Sequence, residues 1–125
     1  MNSVIPVREI LEAQDAQTLA AAPEGLDALA LAEIAQTLHA SDPSRPAAIL
    51  HIARDDKRMS ALKVALEFFG GGHVRTVIFP AWDCVPYDRI SPNGEIASRR
   101  LAALAELTQS QGGGGSRGVI VLTSV

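Results

Sequence analysis

The chain has one cysteine, one tryptophan and one tyrosine in 125 residues, and aromatic residues make up only 4% of it. A lone Cys84 excludes an internal disulfide and suits a reducing compartment, so the cytoplasm is the expected location. No window approaches the roughly 18 uninterrupted apolar residues of a membrane span. Val4-Ile5-Pro6-Val7 is too short for a secretory core and is broken by proline. No spacing of Cys, His, Asp or Glu matches a metal site, and His39, His51 and His73 are scattered. A formal net charge of −3 gives no electrostatic reason for this segment to bind nucleic acid. At 47% hydrophobic and 20% charged, the chain is close to globular averages, which excludes wholesale disorder.

Residues 1–16 read as an N-terminal arm, in which Glu9 to Ala13 either begins a short helix or forms an ordered extension. Gln17 to Ala22 reads as a short strand, although its alanines also suit a helix. Pro23-Glu24-Gly25 is a turn signal. From Leu26 to about His39, Leu31, Ile34, Ala35 and Leu38 fall at i, i+3, i+4 and i+7, the stripe of an amphipathic helix. Ala47 to Ala53 is apolar and bounded by turn residues, as a strand buried on both faces would be. Asp55 or Asp56 is placed to cap a helix running to about Phe69, with Met59, Leu62, Leu66 and Phe69 on one face. Gly70 to Gly72 ends it.

Val74 to Phe79 reads as a second buried strand. Ser91 or Asn93 is placed to cap a third helix, with Pro92 tolerated at its start. Ala97, Leu101, Leu104 and Thr108 line one side of that helix, and Ile96, Ala103 and Leu107 lie beside them. Residues 112–118 read as a glycine tether. Val119 to Leu122 is a further buried strand. Alternating strands and helices predict an α/β fold, a parallel sheet flanked by helices. An ending on such a strand, with no covering helix after it, is the pattern of a truncated piece of a longer protein. Its last strand would then be exposed and prone to self-association.

Ligands of such sheets sit beyond the carboxyl ends of the strands. A phosphate-binding loop there needs a glycine-rich turn, a lysine for the β- and γ-phosphates, and a Ser/Thr hydroxyl for magnesium. Gly25 is present, but Leu26 brings no charge, Asp27 repels phosphate and Pro23 lacks an amide hydrogen. ATP binding by that mechanism is not expected. Three loops lie at those strand ends, Ala22 to Leu26, Arg54 to Lys57 and Ala81 to Ser91, and the last is the richest. Trp82, Asp83, Tyr87, Asp88 and Arg89 crowd into eight residues, where a mere turn would favour Gly, Ser and Asn. Asp83, Asp88, Arg89 and Glu95 invite an acid/base reading. Asp88 and Arg89 are adjacent in a loop, where such residues satisfy local backbone groups or pair at the surface, so local structure or an inter-domain contact is the better reading; no histidine lies near Asp83-Cys84 to activate a nucleophile. Trp82 and Tyr87 are then loop anchors or partner-binding hot spots. His51 reads as a hydrogen-bonded histidine within a strand. At least one of Arg99 and Arg100 should face solvent.

The segment FPAWDCVPYDRISPNGEIASRRLAAL, from Phe79 to Leu104, resembles a signature near the amino terminus of bacterial transcription-repair coupling factors, the Mfd translocases. AAILHIARDDKRMSALKVALEFF upstream and GVIVLTSV downstream fit the same region in the same order. The resemblance covers roughly residues 17–125. It implies a partial first domain like that of the excision-repair protein UvrB, RecA-like in fold, with Gly25-Leu26-Asp27 where an intact loop has Gly-Lys-Thr. For the full-length protein it implies an ATP- and Mg-dependent motor on double-stranded DNA that displaces stalled RNA polymerase and recruits UvrA. It assigns this segment no catalytic residue, cofactor or metal. A divergent ATP-binding domain and a free-standing interaction module remain the alternatives.

Overall fold

The computed structural model describes residues 5–44, 48–85, 87, 89, 91–110 and 117–125. The expected glycine tether falls outside these residues except for Arg117 and Gly118. Among the described residues the elements run α1 (Val7–Glu12), α2 (Leu26–Ser41), β1 (Ala48–Ala53), α3 (Asp56–Gly70), β2 (Val74–Ile78), α4 (Gly94–Ser110) and β3 (Gly118–Ser124). The fold is α/β, a three-stranded parallel sheet flanked by helices, with strand order β1-β3-β2. β3 pairs with β1 from Ala48–Val119 to Ala53–Ser124, and with β2 from Val74–Gly118 to Ile78–Leu122.

α2 and α3 cover one sheet face. Ile120 and Leu122 of β3 meet Ala28, Ala32 and Ala35 of α2 and Met59, Leu62 and Leu66 of α3 there. Leu62, Leu66, Ile120 and Leu122 are essentially inaccessible, and full burial of each stabilises the fold by about 1.5–3 kcal/mol. α2 presents alanines to this core, which lets its backbone approach closely. At Gly118 an added Cβ would lie 2.8 Å from the Ala35 carbonyl oxygen. The reverse side of α2 is covered by the arm, where Ile5, Val7 and Ala30 form a small buried cluster with Leu26, Leu29 and Ile34. α4 lies on the opposite sheet face, with Ala103 and Leu107 on Val77, Val119 and Phe79.

Local chemistry sets the helix ends. Asp55 caps α3 by accepting the Arg58 amide at 2.7 Å, and Gly71 closes it in the left-handed region at φ 52°. Asn93 caps α4, its side-chain oxygen accepting the Glu95 amide at 2.9 Å. Pro92 therefore precedes the cap rather than opening the helix.

Five sequence expectations are corrected. Residues 17–22 form no strand and are exposed. A run dominated by alanine has no β-branched surface with which to join the sheet. β1 is not buried on both faces: Leu50 and Ile52 are 64% and 60% exposed, because β1 is an edge strand whose outer half α4 does not reach. β3 is central rather than exposed, because the chain inserts it between β1 and β2. On α4 the Leu101–Leu104–Thr108 side faces solvent, and the inward face is Ile96, Arg100, Ala103 and Leu107. Phe69 also departs from its expected face; it is partly exposed and meets Phe68 edge-on at 5.1 Å.

Candidate functional site

Gly25, Leu26 and Asp27 form the N-terminus of α2. Gly25 is the N-cap at φ 91°, a conformation that favours glycine. Leu26 turns into the apolar cluster beneath the arm. The Asp27 carboxylate accepts its neighbour's amide, Ala28, at 2.9 Å, and pairs with the Arg58 guanidinium at 2.5 Å. Arg58 also reaches Glu24 at 3.3 Å. The end of the helix that would attract an anion thus carries two carboxylates, and the nearby cation is already paired with both. Sequence reasoning missed Arg58. Its position three residues after the capping Asp55 was the available signal, since that spacing puts its stem on the first turn of α3.

Other polar groups gather around this corner. His51, half-buried on β1, has its pKa lowered, first by burial; the Asp27 charge opposes that shift and the Arg58 charge adds to it. The Asp55 carboxyl is held below its ordinary value, first by the Arg58 amide and then by the Arg54 side chain. The buried Ser124 hydroxyl, at the end of β3, donates to the Asp56 carboxylate. These contacts join strand ends to the first turn of α3. No group of three or more His, Cys, Asp and Glu side chains suited to holding a metal occurs among the described residues.

The loop after β2 is fastened to α4. The Arg100 guanidinium lies 4.0 Å from the Phe79 ring centre and 4.4 Å from that of Trp82, and donates to the Pro80 carbonyl at 2.5 Å. A planar cation between two aromatic faces is favourable at both. Asp83 accepts the Asn93 amide at 3.2 Å, which ties the loop to the start of α4. Glu95 pairs with Arg99 on the solvent side at 2.6 Å. Trp82 and Asp83 are therefore anchors, with Trp82 half exposed.

Tyr87 is not an anchor. It is fully exposed and sits at φ 75°, a left-handed conformation uncommon for a bulky residue. Arg89 is exposed beside it, and Asp88 lies outside the described residues. Of the residues that invited an acid/base reading, Asp83 and Glu95 are each engaged in local structure. Sequence reasoning treated Arg100 only as half of an arginine pair. The spacing Ile96, Arg100, Ala103, Leu107 marks it as inward-facing.

No family model matches the chain, and no solved structure matches it. Two curated proteins do. One is the transcription-repair-coupling factor of Rickettsia prowazekii (strain Madrid E), 37% identical over 65 residues, which is 51% of this chain and 6% of the relative. The other is the transcription-repair-coupling factor of Rickettsia bellii (strain RML369-C), 33% identical over 64 residues, again 51% of this chain and 6% of the relative. The match thus spans a small part of the length of these relatives. No helix among the described residues is long and apolar enough to cross a membrane.

Proposed function

We propose, on the premise that this chain carries a region related to transcription-repair-coupling factors, that it is a non-catalytic scaffold segment of such a factor. In this reading the full-length protein uses ATP and Mg to translocate on double-stranded DNA, displaces stalled RNA polymerase and recruits UvrA. The segment itself is a RecA-like, UvrB-like first domain that has lost nucleotide binding. The observation that supports the loss is the Asp27–Arg58 pair at the start of α2. A triphosphate placed there would meet the Asp27 and Glu24 carboxylates and would have to break an ion pair that is about two-thirds buried at both side chains. Leu26 adds no compensating charge.

In the intact, longer protein, Leu26→Ala and Arg58→Ala are expected to leave the turnover of ATP unchanged. A drop of tenfold or more with either variant, with the protein still folded, would instead favour a divergent ATP-hydrolysing domain.

A second reading, compatible with the first, concerns the loop from Trp82 to Arg89. Val85 and Tyr87 are exposed apolar groups on a loop whose base is pinned by Arg100. A rigid base under exposed aromatic surface is the arrangement of an interaction hot spot. This favours a contact with another domain or protein through Tyr87 and Arg89. Tyr87→Ala should weaken that contact without altering the melting temperature.

A further inference from the structure

α2 is apolar on two faces. Its sheet side presents Ala28, Ala32 and Ala35 to the core, and its outer side presents Leu26, Leu29, Ala30 and Ile34. A helix that is apolar all round needs cover on both sides. The outer cover is one short segment. Ile5 and Val7 are buried against it and Ile10 is half-buried, while Arg8, Glu9 and Glu12 stay exposed.

That contact is most of what holds the segment. α1 packs on no described element but α2. Its six residues fall well short of the length at which a helix is stable alone in water. Its N-cap, Pro6, makes no side-chain capping hydrogen bond. From Gln14 to Glu24 every residue is exposed, and none lies in a helix or strand. From Gln14 to Ala22 the one hydrogen bond among the described residues is local, from the Gln17 side chain to the Asp15 carbonyl.

We infer that residues 5–12 are a strap that seats on the outer face of α2 and leaves it as one unit, and that this face is a docking surface for a short, one-sided apolar helix which the strap occupies in cis. Helix and contact are lost together, because so short a helix does not persist undocked. The core does not depend on the strap, since α2 stays joined to β3 and α3 through its alanine side. Release would uncover Leu26, Leu29, Ala30 and Ile34, a stripe at i, i+3, i+4 and i+8 of the kind that anchors a helix in a groove. A short flexible link keeps the strap at an effective concentration in the millimolar range, so a rival helix at micromolar concentration meets a closed face.

The test follows amide signals of the full chain by nuclear magnetic resonance. The double variant Ile5→Asp/Val7→Asp puts two carboxylates where the strap needs apolar contact, and should release it. The Leu29, Ala30 and Ile34 signals should then move while those of Ile120 and Leu122 stay. A peptide of residues 5–13 added to this variant should return the three α2 signals toward their wild-type positions with saturation. The same peptide carrying Val7→Asp should not. The wild-type chain should bind the peptide at least about tenfold more weakly than the variant does. In the wild-type chain the Ile10 and Ala13 amides should exchange with deuterium roughly a hundredfold or more faster than those of Leu62 and Leu66.

Loss of the Ile120 and Leu122 signals in the variant would make the arm part of the core and overturn the proposal. So would a peptide that leaves the variant's α2 signals unmoved, or Ile10 and Ala13 amides that exchange as slowly as that of Leu62. A wild-type chain that is dimeric at micromolar concentration, with the variant monomeric, would give the face to a second copy's arm and overturn its occupation in cis.

Discussion

Replacing Gly118 tests how closely α2 approaches the sheet. A Cβ at this position would lie 2.8 Å from the Ala35 carbonyl oxygen and 3.0 Å from the Ala35 carbonyl carbon and Cβ. The first two are backbone atoms of a packed helix and cannot rotate away, so Gly118→Ala must push α2 off β3. Overpacking of this kind costs about 1–3 kcal/mol. The alanine also restricts the unfolded chain, which returns about 0.4–1 kcal/mol. The net expectation is a loss of about 1–2 kcal/mol, a fall in melting temperature of several degrees at this chain length.

Gly118→Val should lose more, because its γ-methyl groups enter the same gap. The double variant Gly118→Ala/Ala35→Gly should not recover the loss: trimming Ala35 leaves its carbonyl in place, and glycine within a helix destabilises by a further ~1 kcal/mol. Urea denaturation followed by circular dichroism gives the ranking. Equal or greater stability of Gly118→Ala would refute the close approach, and rescue by Ala35→Gly would refute the role given to the carbonyl.

Arg100→Ala removes two cation–ring contacts and a hydrogen bond to Pro80. Each contact is worth about 0.5–1 kcal/mol at a partly exposed site, so a loss of about 1–2 kcal/mol is expected, with Trp82 emission moving to longer wavelength. Because Trp82 is the only tryptophan, fluorescence reports on this loop directly, and an unchanged spectrum would count against the stack. His51 supplies a pH dependence. Its folded-state pKa lies below the unfolded value, so the unfolded chain binds more protons as the solution is acidified. Its contribution is fully present above the unfolded pKa of about 6.5 and is lost as the pH falls through the lowered folded value. Denaturation midpoints should drop with acidification over that window, and His51→Gln should flatten the slope there. An identical slope in the variant would show that other groups set it.

Much of the architecture was legible because its signals are local. Asp55 ahead of a periodic run and glycines behind it bound α3 closely, and Asn93 marked the start of α4. What failed depends on neighbours distant in the chain. An apolar run such as Ala48–Ala53 does not reveal whether it is central or at an edge, and the order β1-β3-β2 decides that. The two apolar flanks of α4 are nearly equal in sequence, and a cation seated between Phe79 and Trp82 looks like a surface residue until the rings are placed.

The candidate loops divided in the same way. The missing lysine and threonine after Gly25 were plain in the sequence. The Arg58 partner that holds Asp27 comes from a helix thirty-one residues on; its spacing from Asp55 puts it on the first turn of α3 but does not say that Asp27 lies opposite.

The central claim is that the start of α2 is closed to phosphate. Its most direct test is a nuclear magnetic resonance titration of the chain with ATP and magnesium, following the amides of Gly25, Leu26 and Ala28. The account predicts that these signals stay in place up to millimolar nucleotide. Saturable movement of all three, reversed in a variant carrying Gly25→Asp, would contradict it.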